Sequence, residues 1–411
     1  MDEKKRFDFD ERINRRGTNS EKWDIGAQEI AMWIADMDFR TAPPIQEALE
    51  KRIRHGVYGY AGVTDEWYDA YRNWWQTRHD FVIEKDWLRF TTGVIPVISS
   101  VVRRLSQPAE KVVLQTPVYN IFFNSVINNG RQVLESPLLR DDANETYHID
   151  WNDLEEKLAD PQTRLMILCN PHNPVGIQWD RETLARIGTL CEKYHVTVIS
   201  DEIHCDLADP GSAYTPFAAA SETCRRISVN VIAPTKAFNI AGIHTAALFI
   251  ADPYLRHTVL RGLNNDEVME PNCFAVEAAI AAYRDGGEWL DAMNRYVYEN
   301  KKRVRDFIAR ELPKVRVNSG HATYLIWLNC RAYAKHDIER STAVEDFAHG
   351  YDSHSELCDF IRQTGGLVLS NGEQYGTGGE YFLRMNLACP ESVVEEGLQR
   401  LKTALDAFEK I

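Results

Sequence analysis

Short apolar runs that alternate with helical patterns are the feature that most constrains how this chain can fold. The runs are Lys111–Gln115, Arg164–Cys169, Val196–Ser200 and Ile227–Ala233. Each is brief and almost continuously apolar, which is typical of strands buried on both faces. Between the second and third runs, Glu182–His195 has the apolar spacing of a helix. Strands that alternate with helices predict an α/β fold with a mostly parallel sheet covered by helices.

The chain is long enough for a second, smaller lobe, because its 411 residues exceed the size at which single cores usually stop growing. Amphipathic helices are predicted over Gly287–Leu312 and Ser392–Glu409. The strands predicted between them are Thr323–Leu328, Leu367–Leu369 and Tyr381–Leu387. We therefore predict a large domain over residues 46–286 and a smaller α/β domain formed by residues 1–45 and 287–411. The polar tract 334–355 is interpreted as a surface excursion, with an inserted loop or short helix near the pocket mouth as the alternative.

Charge and composition argue against several classes of partner. The net charge is −14 and no block of Lys and Arg stands out, so neither nucleic acid nor an anionic membrane is expected as a partner. The charged start of the chain does not resemble a signal peptide, and no apolar run of about 18 residues occurs. The eight cysteines are scattered without a Cys-x-x-Cys pair, so we expect neither a zinc site nor a disulfide framework. These features predict a reduced, cytoplasmic setting.

Polar or aromatic groups follow each of the four predicted strands at once. The segments are Thr116–Tyr119, Asn170–Gly176, Asp201–His204 and Pro234–Lys236. Because ligands bind outside the carboxyl ends of parallel strands, these side chains are expected to meet in one crevice. Taken singly, each has an ordinary explanation as a turn, a helix cap or a surface lysine. The Asn-Pro-His-Asn-Pro-Val-Gly run is more specific, because two Asn-Pro turns and a glycine stand at fixed offsets.

Such a set of side chains suits pyridoxal phosphate (PLP). A lysine amine can form a Schiff base with PLP, and a carboxylate opposite the pyridine nitrogen keeps that nitrogen protonated. A donor near the phenolic oxygen and an aromatic ring on the cofactor face complete the requirements. Separately, Thr91–Pro96 precedes a helix predicted over Val97–Leu105, whose free backbone amides would suit a phosphate.

Together these motifs resemble the fold-type-I PLP enzymes, which include the class I and II aminotransferases. The Asn170–Gly176 run, the Asp201-Glu202 pair and the lysine of Pro234–Gly242 carry this resemblance. A narrower resemblance points to the cystathionine β-lyase, or C–S lyase, branch. It rests on Asn14–Ser20, Met32–Phe39, Asn170–Asn173, Asp201–His204 and Leu383–Ala388. The resemblance covers nearly the whole chain.

The resemblance implies a role for each matching residue at the cofactor. Lys236 would be the Schiff-base lysine and the base at the substrate Cα, and Asp201 would pair with the pyridine nitrogen. The other cofactor-binding residues would be Asn173 and His204 at the phenolic oxygen, Tyr119 on the ring face, Gly93, Val94, Ile95 and Thr235 at the phosphate, and Tyr60 reaching that phosphate from the second subunit of a homodimer. Arg384 would bind the substrate α-carboxylate in a bidentate pair, and Ala35 and Asp36 would also contact substrate.

The chain departs from the family pattern at the phosphate. Ala233 stands where many relatives carry serine, and His244 stands where aminotransferases often place arginine. The reaction implied is α,β-elimination of L-cystathionine or a related S-substituted L-cysteine to a thiol, pyruvate and ammonia. Two alternatives stay open: an aminotransferase that uses the same cofactor and lysine, and a regulatory or binding protein that retains the PLP fold.

Overall fold

The computed structural model describes residues 7–334 and 356–410. Its helices are α1 (Pro43–His55), α2 (Asp65–His79), α3 (Val94–Leu105), α4 (Ile121–Ile127), α5 (Trp151–Ala159), α6 (Arg181–Lys193), α7 (Phe217–Ala220), α8 (Glu222–Arg226), α9 (Pro253–Asn265), α10 (Ala275–Asp285), α11 (Gly287–Glu311), α12 (Glu356–Gly365) and α13 (Glu391–Phe408). Its strands are β1 (Ile30–Ala31), β2 (Leu88–Thr91), β3 (Lys111–Leu114), β4 (Gln132–Glu135), β5 (Leu139–Asp141), β6 (Thr146–His148), β7 (Thr163–Cys169), β8 (Thr197–Asp201), β9 (Ser228–Ile232), β10 (Ala246–Phe249), β11 (Arg316–Val317), β12 (Leu325–Asn329), β13 (Leu367–Val368), β14 (Ser370–Asn371) and β15 (Phe382–Asn386).

A seven-stranded sheet forms the centre of the larger part, in the order β2-β10-β9-β8-β7-β3-β4. The strands from β9 to β4 pair in parallel, and β10 runs antiparallel to both of its neighbours. The prediction of a mostly parallel sheet is thus confirmed. The four strands predicted from sequence correspond to β3, β7, β8 and β9, with ends that agree to within one residue.

Both faces of the sheet are buried, which explains why its strands are almost continuously apolar. Along β7, Leu165 and Ile167 pack with residues of α3 and α4 on one face. Met166 and Leu168 point to the opposite face and pack with residues of α5 and α6. This alternation is the period-two geometry of a strand covered by helices on both sides.

A second, four-stranded antiparallel sheet, β11-β12-β15-β14, lies in the C-terminal third of the chain. The start of the chain also belongs to this lobe, because β1 pairs in parallel with β13. Ile30 and Met32 share an apolar core with Val304 of α11 and Leu398 of α13. A smaller α/β lobe built from both ends of the chain is therefore present, while its limits at residues 45 and 287 stay a prediction.

Three adjacent parallel strands bring the predicted site residues to one edge. Cys169 at the end of β7 is in register with Asp201 at the end of β8, and Asp201 is in register with Val231 of β9. The segments that follow these strands therefore leave the sheet side by side. This geometry is the one that parallel sheets use to bind ligands.

The start of α3 differs from the sequence-based prediction. The helix predicted from Val97 begins three residues earlier, at Val94. Pro96 then lies in the first turn, where the amide hydrogen that proline lacks would have no partner within the helix.

Apart from Ala334, the predicted surface excursion over residues 334–355 lies outside the described residues. No helix in the described part of the chain is long and apolar enough to cross a membrane.

Candidate active site

A cavity of about 230 Å³ opens at the carboxyl edge of the large sheet. Its lining residues are Ala35, Thr92, Gly93, Val94, Ile95, Pro96, Tyr119, Cys169, Asn173, Asp201, Ile203, His204, Thr235, Lys236, Ala241, His244, Thr245 and Ala246. They come from the first turn of α3 and the two residues before it, from the segment between β3 and α4, from the ends of β7 and β8 and the residues that follow them, and from the segment that joins β9 to β10 together with the first residue of β10. One residue, Ala35, comes from the N-terminal part of the smaller lobe.

Lys236 lies four residues after the end of β9 and directs its amine toward Ala35 of the smaller lobe. The Nζ atom donates a hydrogen bond of 2.6 Å to the carbonyl oxygen of Ala35. Part of the Lys236 surface faces the cavity, yet the amine is deep in the protein, and this burial lowers the pKa of Lys236 to about 8. A larger fraction of the amine is therefore neutral near physiological pH than is usual for lysine, which makes it a competent base.

Asp201 is the last residue of β8 and is only 4% exposed. One carboxylate oxygen accepts a hydrogen bond from the backbone amide of Ile203 at 3.0 Å. No lysine, arginine or histidine of the described residues lies within ion-pair distance of this carboxylate. Burial raises the pKa of Asp201 to about 7, because the charged form has lost its water without gaining a cationic partner. A positively charged ligand group is the natural partner for such a carboxylate.

His204 is buried beside the same cavity. Its Nδ1 atom has no hydrogen-bond partner within the described part of the protein. Burial, reinforced by the charges of Lys236 and Arg384, lowers the pKa of His204 to about 3. The imidazole is therefore neutral across the physiological range and has one ring nitrogen still available to a ligand.

Arg384 of β15 brings a buried guanidinium to the site from the smaller lobe, and is 5% exposed. Its Nη1 donates to Oδ1 of Asn173 at 3.1 Å, and its Nη2 donates to the carbonyl of Trp33 at 2.9 Å. The Nε atom is buried without a partner, and none of the described carboxylates forms an ion pair with this side chain. A buried cation with an unused donor suits an anionic ligand group.

Residues 33–39, which we call the N-terminal segment, are fixed by side-chain donors from both lobes. The donors are Lys236 and Tyr324 to the Ala35 carbonyl, Asn386 to the carbonyls of Ile34 and Asp36, and Asn239 to those of Met37 and Phe39. The amide of Met37 donates in turn to Oδ1 of Asn239. The wall of the cavity that contains Ala35 is therefore held at nearly every peptide.

Asp36 was predicted to contact substrate, but the structure does not bring it into the cavity. Its carboxylate accepts a 2.6 Å bond from Arg15 and lies 3.4 Å from the amine of Lys22. Asp38 binds the same two cations. Burial alone would raise the pKa of Asp36, but Arg15 and Lys22 outweigh it and lower this pKa below its ordinary value. The Asp36 side chain therefore belongs to a buried network of ion pairs with Arg15 and Lys22 that stabilises the N-terminal segment.

The other predicted residues divide into three groups. Those that line the cavity are Ala35, Gly93, Val94, Ile95, Tyr119, Asn173, Asp201, His204, Thr235 and Lys236. Arg384 adjoins the cavity through Asn173. Tyr60 lies away from it, fully exposed on the surface of the chain. At the phosphate end proposed from sequence, Ala233 is buried outside the cavity wall, whereas His244 and Thr245 line it.

Sequence reasoning missed three residues that hold the N-terminal segment: Asn239, Tyr324 and Asn386. Asn239 and Asn386 lie within the runs that carried the resemblance, so their presence in those runs was the available signal. Tyr324 stood in an apolar run that was interpreted only as a strand. Nothing in the sequence around Tyr324, including the polar Thr323 before it, distinguishes a functional tyrosine from one that only packs in the core.

Comparison with known proteins agrees with this architecture. The model of the family described as aminotransferase class I and II matches residues 37–401. The chain belongs to this family. Among curated members of related sequence, cystathionine beta-lyase PatB of Bacillus subtilis (strain 168) is 41% identical over 405 residues, covering 97% of this chain and 100% of that protein.

Solved structures of family members superpose over almost the full chain. Cystalysin from Treponema denticola, described as containing a pyridoxal 5'-phosphate cofactor, is 31% identical with a TM-score of 0.90, covering 98% of this chain and 99% of that one. The PLP-bound C-S lyase from Staphylococcus hominis is 31% identical with a TM-score of 0.87, covering 97% and 98% respectively. The fold-type-I architecture predicted from the motifs is therefore confirmed.

Proposed function

We propose that this chain is a PLP-dependent carbon–sulfur β-lyase that cleaves L-cystathionine or a related S-substituted L-cysteine to a thiol, pyruvate and ammonia. The observation that carries the proposal is a single cavity lined by both Lys236, with its lowered pKa, and the carboxylate of Asp201, which has no ion-pair partner among the described residues. The similarity to PatB, to cystalysin and to the C-S lyase supports the lyase branch of the family.

The residues of the cavity fit PLP. Asp201 lacks a cationic partner in the described protein, and a protonated pyridine nitrogen would supply one. The Nδ1 atom of His204 is unused, and Asn173 lines the same cavity, so both could serve the phenolic oxygen. The first-turn amides of α3 and the hydroxyl of Thr235 would hold the phosphate. Tyr119, which lines the same cavity, would supply the aromatic ring for the cofactor face.

Within this arrangement, Lys236 holds the cofactor and then acts as the base. When bound, PLP withdraws the electron pair that remains after the substrate Cα loses its proton. The neutral amine of Lys236 takes that proton, and its hydrogen bond to Ala35 fixes where the amine rests. The Cα electron pair then forms a double bond to Cβ, while the Cβ–sulfur bond breaks and its electrons leave with the sulfur as a thiolate, which is a good leaving group because a thiol has a pKa of about 8.5. The unsaturated product that remains takes up water to give pyruvate and ammonia.

We assign to Arg384 the role of orienting the substrate. Its guanidinium would take the α-carboxylate in a two-point pair, replacing part of its present contact to Asn173 and Trp33. The carbonyl of Ala35 and the N-terminal segment would then border the substrate side chain. In this orientation Cα, and not the far side of the sulfur, would lie next to Lys236.

A homodimer with shared active sites is part of the proposal. Tyr60 is fully exposed, and Ile53, Val57 and Tyr58 near it in the chain are also more than half exposed. Exposed apolar residues in one stretch of chain suit contact with a second subunit, where Tyr60 would reach the neighbouring phosphate site.

A cytoplasmic location also belongs to the proposal, supported by eight cysteines that are all free.

Transamination is the second candidate, because the family that matches the chain is described as aminotransferase class I and II. Both reactions need the same lysine and carboxylate, and they differ in whether the β substituent leaves. Borohydride treatment of the PLP-loaded protein should attach the cofactor irreversibly to Lys236, detected by peptide mass, for either reaction. Product formation that requires an added 2-oxo acid would decide for the aminotransferase, and turnover without it decides for the lyase.

A further inference from the structure

Two donors converge on one carbonyl oxygen beside the candidate base. The Ala35 oxygen accepts the Lys236 amine at 2.6 Å and the Tyr324 hydroxyl at 2.9 Å. A carbonyl oxygen has two lone pairs, so these bonds use its full capacity. Tyr324 is 1% exposed and does not line the cavity. Its ring packs edge-on against that of His204, with ring centroids 6.2 Å apart, and its hydroxyl reaches the candidate base through the Ala35 carbonyl.

The backbone that presents Tyr324 adopts a conformation that is rare for its sequence. Thr323 has a φ of +61°, in the left-handed region that β-branched residues almost never occupy. The Thr323 amide donates to the carbonyl of Leu207 at 2.7 Å, and the Leu207 amide donates to the carbonyl of His204 at 2.9 Å. Strained residues of this kind persist where the surroundings over-determine them, most often near functional sites. Tyr324 is thus tied through Thr323 to the strand end that carries His204.

We propose that Tyr324 is a positioning residue for Lys236, which it orients as a base and keeps from protonation through their shared acceptor, the Ala35 carbonyl. This inference rests on the proposed role of Lys236 in removing the Cα proton. A neutral amine has two hydrogens and one lone pair, so donating one hydrogen to a fixed carbonyl limits where the lone pair can point. Tyr324 fixes that carbonyl, and the lone pair is left to face the cavity.

The same contact affects the charge of the lysine. The hydrogens of both donors lie close together at one oxygen, and their repulsion is greater for an ammonium than for a neutral amine. The other charged or titratable groups that act on Lys236 are Asp36 and Asp201, which favour the ammonium, and Arg384, which disfavours it. His204 faces the same cavity and is neutral. Loss of the tyrosine hydroxyl therefore shifts Lys236 toward its protonated form.

Tyr324→Phe removes the hydroxyl and keeps the ring. Two measurements test it: the pH midpoint at which Lys236 of the PLP-free full chain reacts with an amine-selective reagent, and the rate at which the PLP-loaded enzyme exchanges the Cα hydrogen of L-alanine in D₂O. We expect the midpoint to rise and the exchange to slow by up to about 100-fold, as misplacement of a reacting group does. Alanine has no β leaving group, so the exchange reports on Lys236 whether or not the proposed elimination is correct.

Tyr147→Phe is the matched control, since Tyr147 is also buried and its hydroxyl accepts a 3.1 Å bond from Trp327 away from the cavity. It should change neither measurement. Tyr324→His, which keeps a ring N–H donor, gives an independent test and should retain a midpoint near that of the wild type. An unchanged midpoint and exchange rate in Tyr324→Phe, or equal changes in Tyr147→Phe, would overturn the proposal. Loss of exchange in Tyr324→His with no change of midpoint would also overturn it.

Discussion

Arg384 of the smaller lobe donates a hydrogen bond to Asn173 of the larger lobe, over 3.1 Å between Nη1 and Oδ1. The two residues are 211 positions apart in sequence, and both were assigned to the site from different motifs. Their contact joins the position proposed for the substrate carboxylate to the one proposed for the cofactor oxygen. A shift of one lobe relative to the other would therefore move the proposed carboxylate site and the proposed cofactor-oxygen site together.

Replacing Arg384 with lysine should weaken substrate binding selectively. Lysine keeps the charge but loses the planar fork, so kcat/KM for an S-substituted L-cysteine should fall about 100-fold, equivalent to about 2.7 kcal/mol. PLP content, measured by absorbance, should stay close to that of the wild type. Arg103→Lys, at a surface ion pair with Asp266, is the control and should leave kcat/KM unchanged. An unaltered kcat/KM in Arg384→Lys would remove its carboxylate role.

Replacing Asp201 with asparagine should have opposite effects on the apoprotein and on cofactor binding. Burial raises the pKa of this carboxyl from 3.8 to about 7, so without PLP it destabilises the folded state increasingly as the pH rises between those values. At pH 8 the cost is on the order of 4 kcal/mol, and at pH 5.5 it is about half of that. PLP-free Asp201→Asn should therefore unfold at higher temperature than the wild type, with a larger difference at pH 8.

PLP affinity should fall in the same variant, because the cationic ring nitrogen loses its partner. Fluorescence titration of the PLP-free protein measures this directly. Asp291→Asn, which removes an exposed carboxylate paired with Arg78, should alter neither property by more than about 1 kcal/mol. A variant of Asp201 that is less stable than the wild type at pH 8 and binds PLP equally well would contradict the assignment.

The pH dependence of Cα-proton removal should follow Lys236. Burial lowers the pKa of this amine from 10.5 to about 8, so its neutral, basic form accumulates as the pH rises through 8. The exchange rate should increase with pH up to that point and then level off, instead of climbing toward 10.5. His204, with a pKa of about 3, should add no second transition between pH 5 and 9. A midpoint near 10.5 would show that the base is not the buried lysine.

Subunit mixing should reveal the shared active site. Tyr60→Ala and Lys236→Ala are each expected to be nearly inactive at low PLP concentration. After exchange of subunits, half of the dimers are mixed and each contains one complete site, so about a quarter of the wild-type activity should return. Tyr254→Ala, at another exposed tyrosine, should be active by itself. Absence of recovery, with mixed dimers verified by mass, would place Tyr60 outside the neighbouring site.

Much of the fold could be predicted because burial on both faces leaves a clear sequence pattern. The strands β3 and β7 to β9 are continuous apolar runs, and their ends agree with the structure to within one residue. The start of α3 was wrong because Pro96 was taken as a residue before the helix, although proline is well accommodated in a first turn. Local pattern therefore predicts that such elements exist, but not always the residue at which they begin.

The site was predictable where motifs carry the chemistry and not where tertiary contacts decide it. Asp201 ends one strand, and Asn173 and Lys236 lie four residues after the ends of two others, so parallel pairing alone brings them together. The direction of Asp36 depends on Arg15 and Lys22, which fold back from a segment that showed no helical or strand pattern. Tyr324 depends on the unusual backbone of Thr323, which no local sequence signal marks.

The most direct test of the account is the release of pyruvate and free thiol from L-cystathionine by the purified, PLP-loaded protein without any 2-oxo acid. We predict sustained formation of both products in equal amounts, and none from Lys236→Ala loaded with PLP in the same way. Absence of both products from the wild type, with turnover only after an amino acceptor is added, would contradict the assignment as a carbon–sulfur lyase.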